Sequence, residues 1–225
     1  MSLSLSEEPR EVAIGGHRVR VGRTTGGVAA LWAAGDEGLA AALGFAHGHD
    51  RPVQMELLRL IGQGRLCECL LDDEANLEVD VFMRRLGFAA GLDADAARLG
   101  PPARALTEAY CAGVNQALAT RRRPLELRLV RHRPAPWRVQ DVLLTLQVMS
   151  FVGLAQSQLD LEKMIVQALH AGVDPARLRA LFAPHLDGLD EEAVALLRRL
   201  RIEEGLLPPA VRWLAGLPRL VASNN

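Results

Sequence analysis

A surplus of either charge, a long apolar run and an even set of cysteines are all missing from this chain. Its 26 basic residues balance 27 acidic ones to a formal net charge of −1, so no electrostatic field draws it to nucleic acid or to an anionic membrane. No apolar stretch reaches the roughly 20 residues a bilayer span needs. Met1 to Glu8 lack the basic region followed by an apolar run that marks a secretory leader. The three cysteines, Cys67, Cys69 and Cys111, are an odd set without metal-ligand spacing. Reduced, buried or half-buried thiols follow from that, and with them a cytoplasmic location. What the chain does have is bulk: 225 residues, 49% of them hydrophobic, can bury a real core as one domain or a large part of one.

Two short extended patterns open the chain after a flexible N-terminus over residues 1–9. Glu11 to Ile14 leads to Gly15-Gly16, and His17 to Arg23 then alternates polar and apolar as a half-buried strand does. The glycine pair reads as a hairpin turn, and Gly26-Gly27 as the next one before a strand over Val28 to Ala33. Three strands suit the edge of a larger sheet. From Asp36 onward the periodicity is helical. Asp36 is placed to cap a helix through about Ala46. Asp50 and Pro52 read as N-cap and first-turn proline of the next, with Val53, Leu57, Leu60 and Ile61 on one face and Gly62 and Gly64 ending it. An acidic loop, Asp72-Asp73-Glu74, precedes a helix from Leu77 to Leu86 with Phe82 and Met83 on its apolar side. Pro101-Pro102 start a helix through Ala119 with a stripe of Leu106, Tyr110, Val114 and Leu118. Arg121-Arg122-Arg123 then read as its solvated last turn, favoured by the helix dipole, rather than as a phosphate site.

Three prolines between Pro124 and Trp137 break the helical pattern. A helix from about Gln140 through Leu154 follows, then a second one holding Asp160, Glu162, Lys163 and Met164 and reaching about His170. Asp174-Pro175 and Asp190-Glu191-Glu192 start two more, and Pro209 to Leu214 is the last helical pattern. His47 and His49, two apart, lie on different faces of a helix and cannot chelate one metal there. Both read as structural.

Taken together, Gly44-Phe45-Ala46-His47-x-x-Asp50-Arg51-x-x-Gln54-Met55-Glu56-x-x-Arg59, then Phe82-Met83-Arg84-Arg85-Leu86-Gly87, Ala109-Tyr110-x-x-Gly113-Val114-Asn115, the corner Pro134-x-Pro136-Trp137 and the terminal Ser223-Asn224-Asn225 resemble the penicillin acylase family of N-terminal-nucleophile (Ntn) hydrolases. The resemblance spans about residues 10–225. It implies a mainly α chain with a short N-terminal β portion, the α-chain part of a four-layer αββα Ntn fold. Residues 10–222 would be the α-subunit-like region and residues 223–225 the start of a truncated catalytic β-subunit-like region. The Gly-Val-Pro-His segment usual in relatives is replaced here by Thr24-Thr25-Gly26-Gly27-Val28, and many relatives are exported.

What the resemblance implies for chemistry centres on Ser223, which matches the nucleophile. A serine at a chain start needs no histidine, because its own α-amine has a pKa low enough to act as general base. That amine is freed in relatives by autoproteolysis, here at Ala222–Ser223. Met149, Phe151 and Gly153 fall where relatives line the acyl-chain cavity, and Gly153 would open it toward longer or aliphatic acyl groups. Asp160, or Glu162 two residues on, matches the α-chain carboxylate that helps bind a structural Ca2+; no cofactor enters the chemistry. The implied partners are a catalytic β chain and a small-molecule acyl amide, such as a β-lactam or an acyl-homoserine lactone. Nucleic acid and membrane are not expected partners. With the nucleophile three residues from the end and still bonded to Ala222, this chain alone is expected to be inactive. The competing expectation is a truncated, non-catalytic helical binding or assembly module.

Overall fold

The computed structural model describes residues 5, 6 and 8–201. Two compact units divide the chain, residues 1–148 and 149–225. The first begins with a three-stranded antiparallel sheet in the order β1 (Arg10–Ile14), β2 (His17–Arg23), β3 (Ala29–Ala33). Gly15 and Gly16 form the first turn with φ of 57° and 86°, the left-handed pair that lets a two-residue hairpin follow the strand twist. Val12 faces Val19 and Val21 faces Leu31 in register. Val12, Val21 and Leu31 pack with Ile14, Val19, Ala41 and Ala42 into one core. In the stretch read as a flexible N-terminus, Leu5 bridges Thr24 and the Ser6 N–H donates to the Arg23 carbonyl at 2.8 Å.

Helix α1 (Asp36–Asp50) crosses α6 (Pro101–Thr120). Their contact is built from small residues: Ala41, Ala42, Gly44, Ala46 and Gly48 are buried on α1, and Ala109, Cys111, Gly113, Val114 and Ala117 on α6. A Cβ on Gly113 would lie 1.9 Å from the Ala41 carbonyl oxygen, and one on Gly44 would lie 2.1 Å from that of Tyr110. Backbone therefore touches backbone. The Gln116 side chain on α6 ties in the hairpin, donating to the Ala13 carbonyl at 2.7 Å and accepting from the Gly15 N–H at 3.1 Å.

Several sequence expectations change here. α1 continues to Asp50 instead of stopping at Ala46, because Ala46 and Gly48 prolong its seam with α6. Gly35, not Asp36, is its N-cap. Asp50 caps nothing: its carboxylate takes the Arg23 guanidinium and the His49 ring, and α2 (Pro52–Gln63) starts from Arg51 without a side-chain cap. Gly62 lies inside α2, where a Cβ would meet Leu144 at 2.8 Å; Gly64, at φ 61°, ends the helix. Of the expected α6 stripe, Val114 alone is fully buried, while Leu106, Tyr110 and Leu118 flank the small-residue seam.

The remainder of the first unit is α3 (Leu66–Cys69), α4 (Glu74–Leu86), α5 (Leu92–Arg98), α7 (Leu125–Leu129) and most of α8 (Val139–Ser150). Asp73 caps α4 through the Asn76 N–H, so the expected acidic loop is in part a helix start. Asp80 on α4 accepts from the Leu66 and Cys67 N–H groups at 2.7 and 3.0 Å, satisfying the first turn of α3 from outside. The proline segment holds the short α7, and Arg121 to Arg123 follow the last residue of α6 rather than forming its final turn.

In the second unit a π-helical turn (Phe151–Ala155) leads without a loop into α9 (Gln156–His170), followed by α10 (Pro175–Phe182) and α11 (Glu191–Arg199). Its core is Ile165, Leu169, Leu178, Leu189 and Val194. Asp174 and Asp190 cap α10 and α11 through the Ala176 and Ala193 N–H groups, as their sequence positions predict. The pattern over Pro209 to Leu214 lies outside the described residues. Among the described residues, no helix is long and apolar enough to cross a membrane.

The seam makes a sharp prediction. Gly113→Ala and Gly44→Ala each lower stability by at least about 3 kcal/mol in urea denaturation, since a methyl must displace backbone. Gly16→Ala, in open space at φ 86°, costs only about 1 kcal/mol of local strain.

Candidate functional site

The Pro134–Trp137 corner leads into α8, and its geometry is set by side chains from three helices. Trp137 is held by the Asn115 amide on α6: the Trp137 N–H donates to Oδ1 at 2.7 Å, and Nδ2 donates to the Trp137 carbonyl at 2.9 Å. Asp141, in the first turn of α8, reaches back to accept from the Arg138 N–H at 2.8 Å, half of a capping box. Helix α2 supplies the third support. Its buried face carries Glu56 and Arg59, 2% and 3% exposed, where the sequence periodicity suggested apolar packing.

Arg59 donates to Glu56 Oε2 at 2.6 Å and to the Ala135 carbonyl at 3.0 Å, and it lies 3.5 Å from Asp141 Oδ2. Its guanidinium sits 5.3 Å from the centre of the Trp137 ring, within cation–π range. His132 Nε2 donates to the other Glu56 oxygen at 2.6 Å. Two buried carboxylates, one guanidinium and one imidazole thus close a network around the start of α8. Such a network stabilises little against an apolar replacement, but losing one partner leaves a buried charge exposed to nothing. The signal in the sequence was the Glu56-x-x-Arg59 spacing, which places the pair on one helix face.

Of the positions expected from the resemblance to line an acyl cavity, Met149 ends α8 with Ser150 and is 51% exposed, while Phe151 and Gly153 lie half-buried in the π-helical turn. A Cβ on Gly153 would meet nothing within 4 Å. Asp160 and Glu162 are exposed on α9, and Glu162 accepts from Gln158 Nε2 at 2.7 Å. Two residues apart, they point about 200° from each other around the helix, so one ion takes at most one of them. Among the described residues, no group of three or more His, Cys, Asp or Glu is gathered for a metal. Ser223 and Ala222 lie outside the described residues.

The thiols are not competing nucleophiles. Burial, with Asp141 and Glu108 adding, pushes Cys111 up to about 12, and burial raises Cys67 and Cys69 as well, so none is a ready thiolate. His47 is engaged in the α1–α6 contact, its Nδ1 2.9 Å from the Tyr110 hydroxyl. Burial holds its ring below the ordinary value against the pull of Asp50. Burial also pushes Tyr110 up to about 12, so its hydroxyl stays protonated beside the ring.

The family model for penicillin amidase matches residues 18–225. The chain belongs to the penicillin amidase family. Among its relatives, the penicillin acylase 2 proenzyme of Pseudomonas sp. (strain SE83) is 40% identical over 120 residues, covering 53% of this chain and 15% of that protein. The acyl-homoserine lactone acylase QuiP of Pseudomonas aeruginosa is 32% identical over 195 residues, covering 82% of this chain and 22% of QuiP. The chain therefore spans only about a fifth of these curated acylases. A solved thermostable penicillin G acylase from Alcaligenes faecalis matches with a TM-score of 0.58 at 23% identity, over 85% of this chain and 95% of the matched one. That likeness shows the fold, mainly α with a small sheet.

Two outcomes check this account of the family scaffold. Arg59→Leu leaves Glu56 and Asp141 buried without their cation and lowers stability by about 3–5 kcal/mol in urea denaturation. For His47 the sign follows from its lowered value: its contribution to stability is complete above about 6.5, the unfolded value, and is lost as pH falls through the lower folded one. Thermal melts between about pH 7 and pH 5 should show a flatter decline for His47→Gln than for the wild type, and equal slopes would refute the assignment.

Proposed function

We propose that this chain is the α-chain portion of an acylase that hydrolyses the amide bond of an N-acyl compound, with Ser223 as nucleophile. The observation that carries the reading is the family match, which extends over residues 18–225 and so includes Ser223-Asn224-Asn225. A relative described as a proenzyme supports the processing step. Ser223 Oγ attacks the Ala222 carbonyl, the C–N bond breaks, and the acyl group passes to oxygen with release of the Ser223 amine. Water then hydrolyses the ester, leaving a carboxylate on Ala222.

The freed amine next serves as base. It takes the hydroxyl proton as Oγ attacks the substrate carbonyl, and it returns that proton to the departing amine. An acyl ester on Ser223 remains and is hydrolysed by water activated through the same amine. Donors for the oxyanion come from a companion catalytic chain, and they supply several kcal/mol of transition-state stabilisation.

Met149, Phe151 and Gly153 contact the acyl group. The π-helical turn supports this role, because such turns often occur at functional sites, and the open space at Gly153 leaves room for an acyl chain. The named relatives act on penicillin and on acyl-homoserine lactones, and one of these two substrate classes is proposed here. Asp160 or Glu162 offers one carboxylate to a structural Ca2+, whose remaining oxygen ligands lie on the companion chain. The free thiols fit a reducing cytoplasm.

Intact masses of the protein from its native source test the nucleophile. One species ending at Ala222 and a companion beginning at Ser223 are expected, and Ser223→Ala should abolish both cleavage and hydrolysis. A single species with an uncut Ala222–Ser223 bond rejects the proposal. In the processed enzyme, Gly153→Phe should lower kcat/KM for long acyl chains by at least about tenfold, as about 1.4 kcal/mol of lost transition-state binding implies, while sparing short ones.

A further inference from the structure

Residues 121–138 contain seven arginines and one acid, Glu126. The fold gathers five of these arginines, Arg121, Arg122, Arg123, Arg128 and Arg133, around an open cleft of about 480 Å³ between the end of α6, α7 and the start of α2. No acidic residue lines it. Elsewhere in this nearly neutral chain, Arg23, Arg59, Arg65, Arg98 and Arg104 each face a carboxylate. Among the described residues, Arg121, Arg122, Arg128 and Arg133 have no such partner, and Arg123 donates only to the His132 carbonyl at 3.2 Å.

Like charges held around one concavity repel each other. The carbonyls at the end of α6 offset part of that repulsion, but they lie at one edge only. Leu118, Leu127 and Pro52 also line the cleft, and apolar surface beside a charge strengthens any ion pair formed against it. Guanidinium groups present paired N–H donors matched to oxyanions, and the volume falls within the range of small-molecule sites. Five cations with no anion favour a polyvalent ligand over a single carboxylate.

We propose that this cleft binds a small polyvalent oxyanion of the phosphate type, independently of any acylase chemistry. Titration calorimetry of the 225-residue chain with inorganic pyrophosphate at moderate salt tests it. Saturable one-site binding is expected, weakened at least about tenfold in Arg122→Ala/Arg128→Ala, with acetate unable to compete at equal concentration. Arg85→Ala, an exposed arginine on α4, should bind as the wild type does. Arg121→Ala/Arg133→Ala provides a second pair from the same rim, with circular dichroism confirming that each variant is folded. Heats that never saturate, equal weakening by Arg85→Ala, or full competition by acetate would overturn the proposal.

Discussion

Where α1 crosses α6, Gly113 lies against the Ala41 carbonyl and Gly44 against that of Tyr110, closer than any side chain would permit. Close-packed interiors tolerate no added methyl at such points, so the two helices hold one fixed register. Much of the first unit takes its position from that register. The sheet packs its apolar face on α1, the hairpin turn is clasped by Gln116 of α6, and Asn115, one residue earlier, holds the Trp137 corner. One helix thus anchors the sheet and the entry to α8 together.

The corner shows how polar groups set direction where apolar packing sets only proximity. Helix α2 meets α8 through Gly62, which lets Leu144 and Val148 approach closely. Contact of that kind leaves α8 free to slide or rotate. Arg59 removes the freedom by engaging Glu56, Asp141 and the Ala135 carbonyl at once. Each bond has its own direction, and desolvation makes any misalignment costly. The start of α8 is therefore a fixed point, set by directional bonds rather than by packing alone.

Charge is distributed in two ways in this chain. Near the seam and the corner, opposite charges meet and cancel, at Arg23 with Asp50 and at Arg59 with two carboxylates. Around the cleft after α6 they are left uncancelled. A net charge near zero over the whole chain therefore conceals a local excess of one sign. The average composition hides a basic stretch over residues 121–138, and the fold sets five of its arginines around one cleft.

The sequence by itself determined the element types, several boundaries and the family. Glycine pairs, first-turn prolines and Asp174 and Asp190 act through local backbone chemistry, and local chemistry is legible in order along a chain. Tertiary structure decided what depends on neighbours far away in sequence. Asp50 was legible as a cap, but Arg23 from the sheet takes its carboxylate. The Tyr110 stripe was legible as the packing face, but the backbone approach of α1 shifts burial to Gly113 and Ala117. Glu56 and Arg59 carry polar signatures, and only His132 and Asp141, brought in from 76 and 82 positions on, let them lie buried. The π-helical turn under Phe151 and Gly153 has no local signal of this kind. Each of these outcomes is a contact between distant segments, and one-dimensional periodicity carries no record of which segment will arrive.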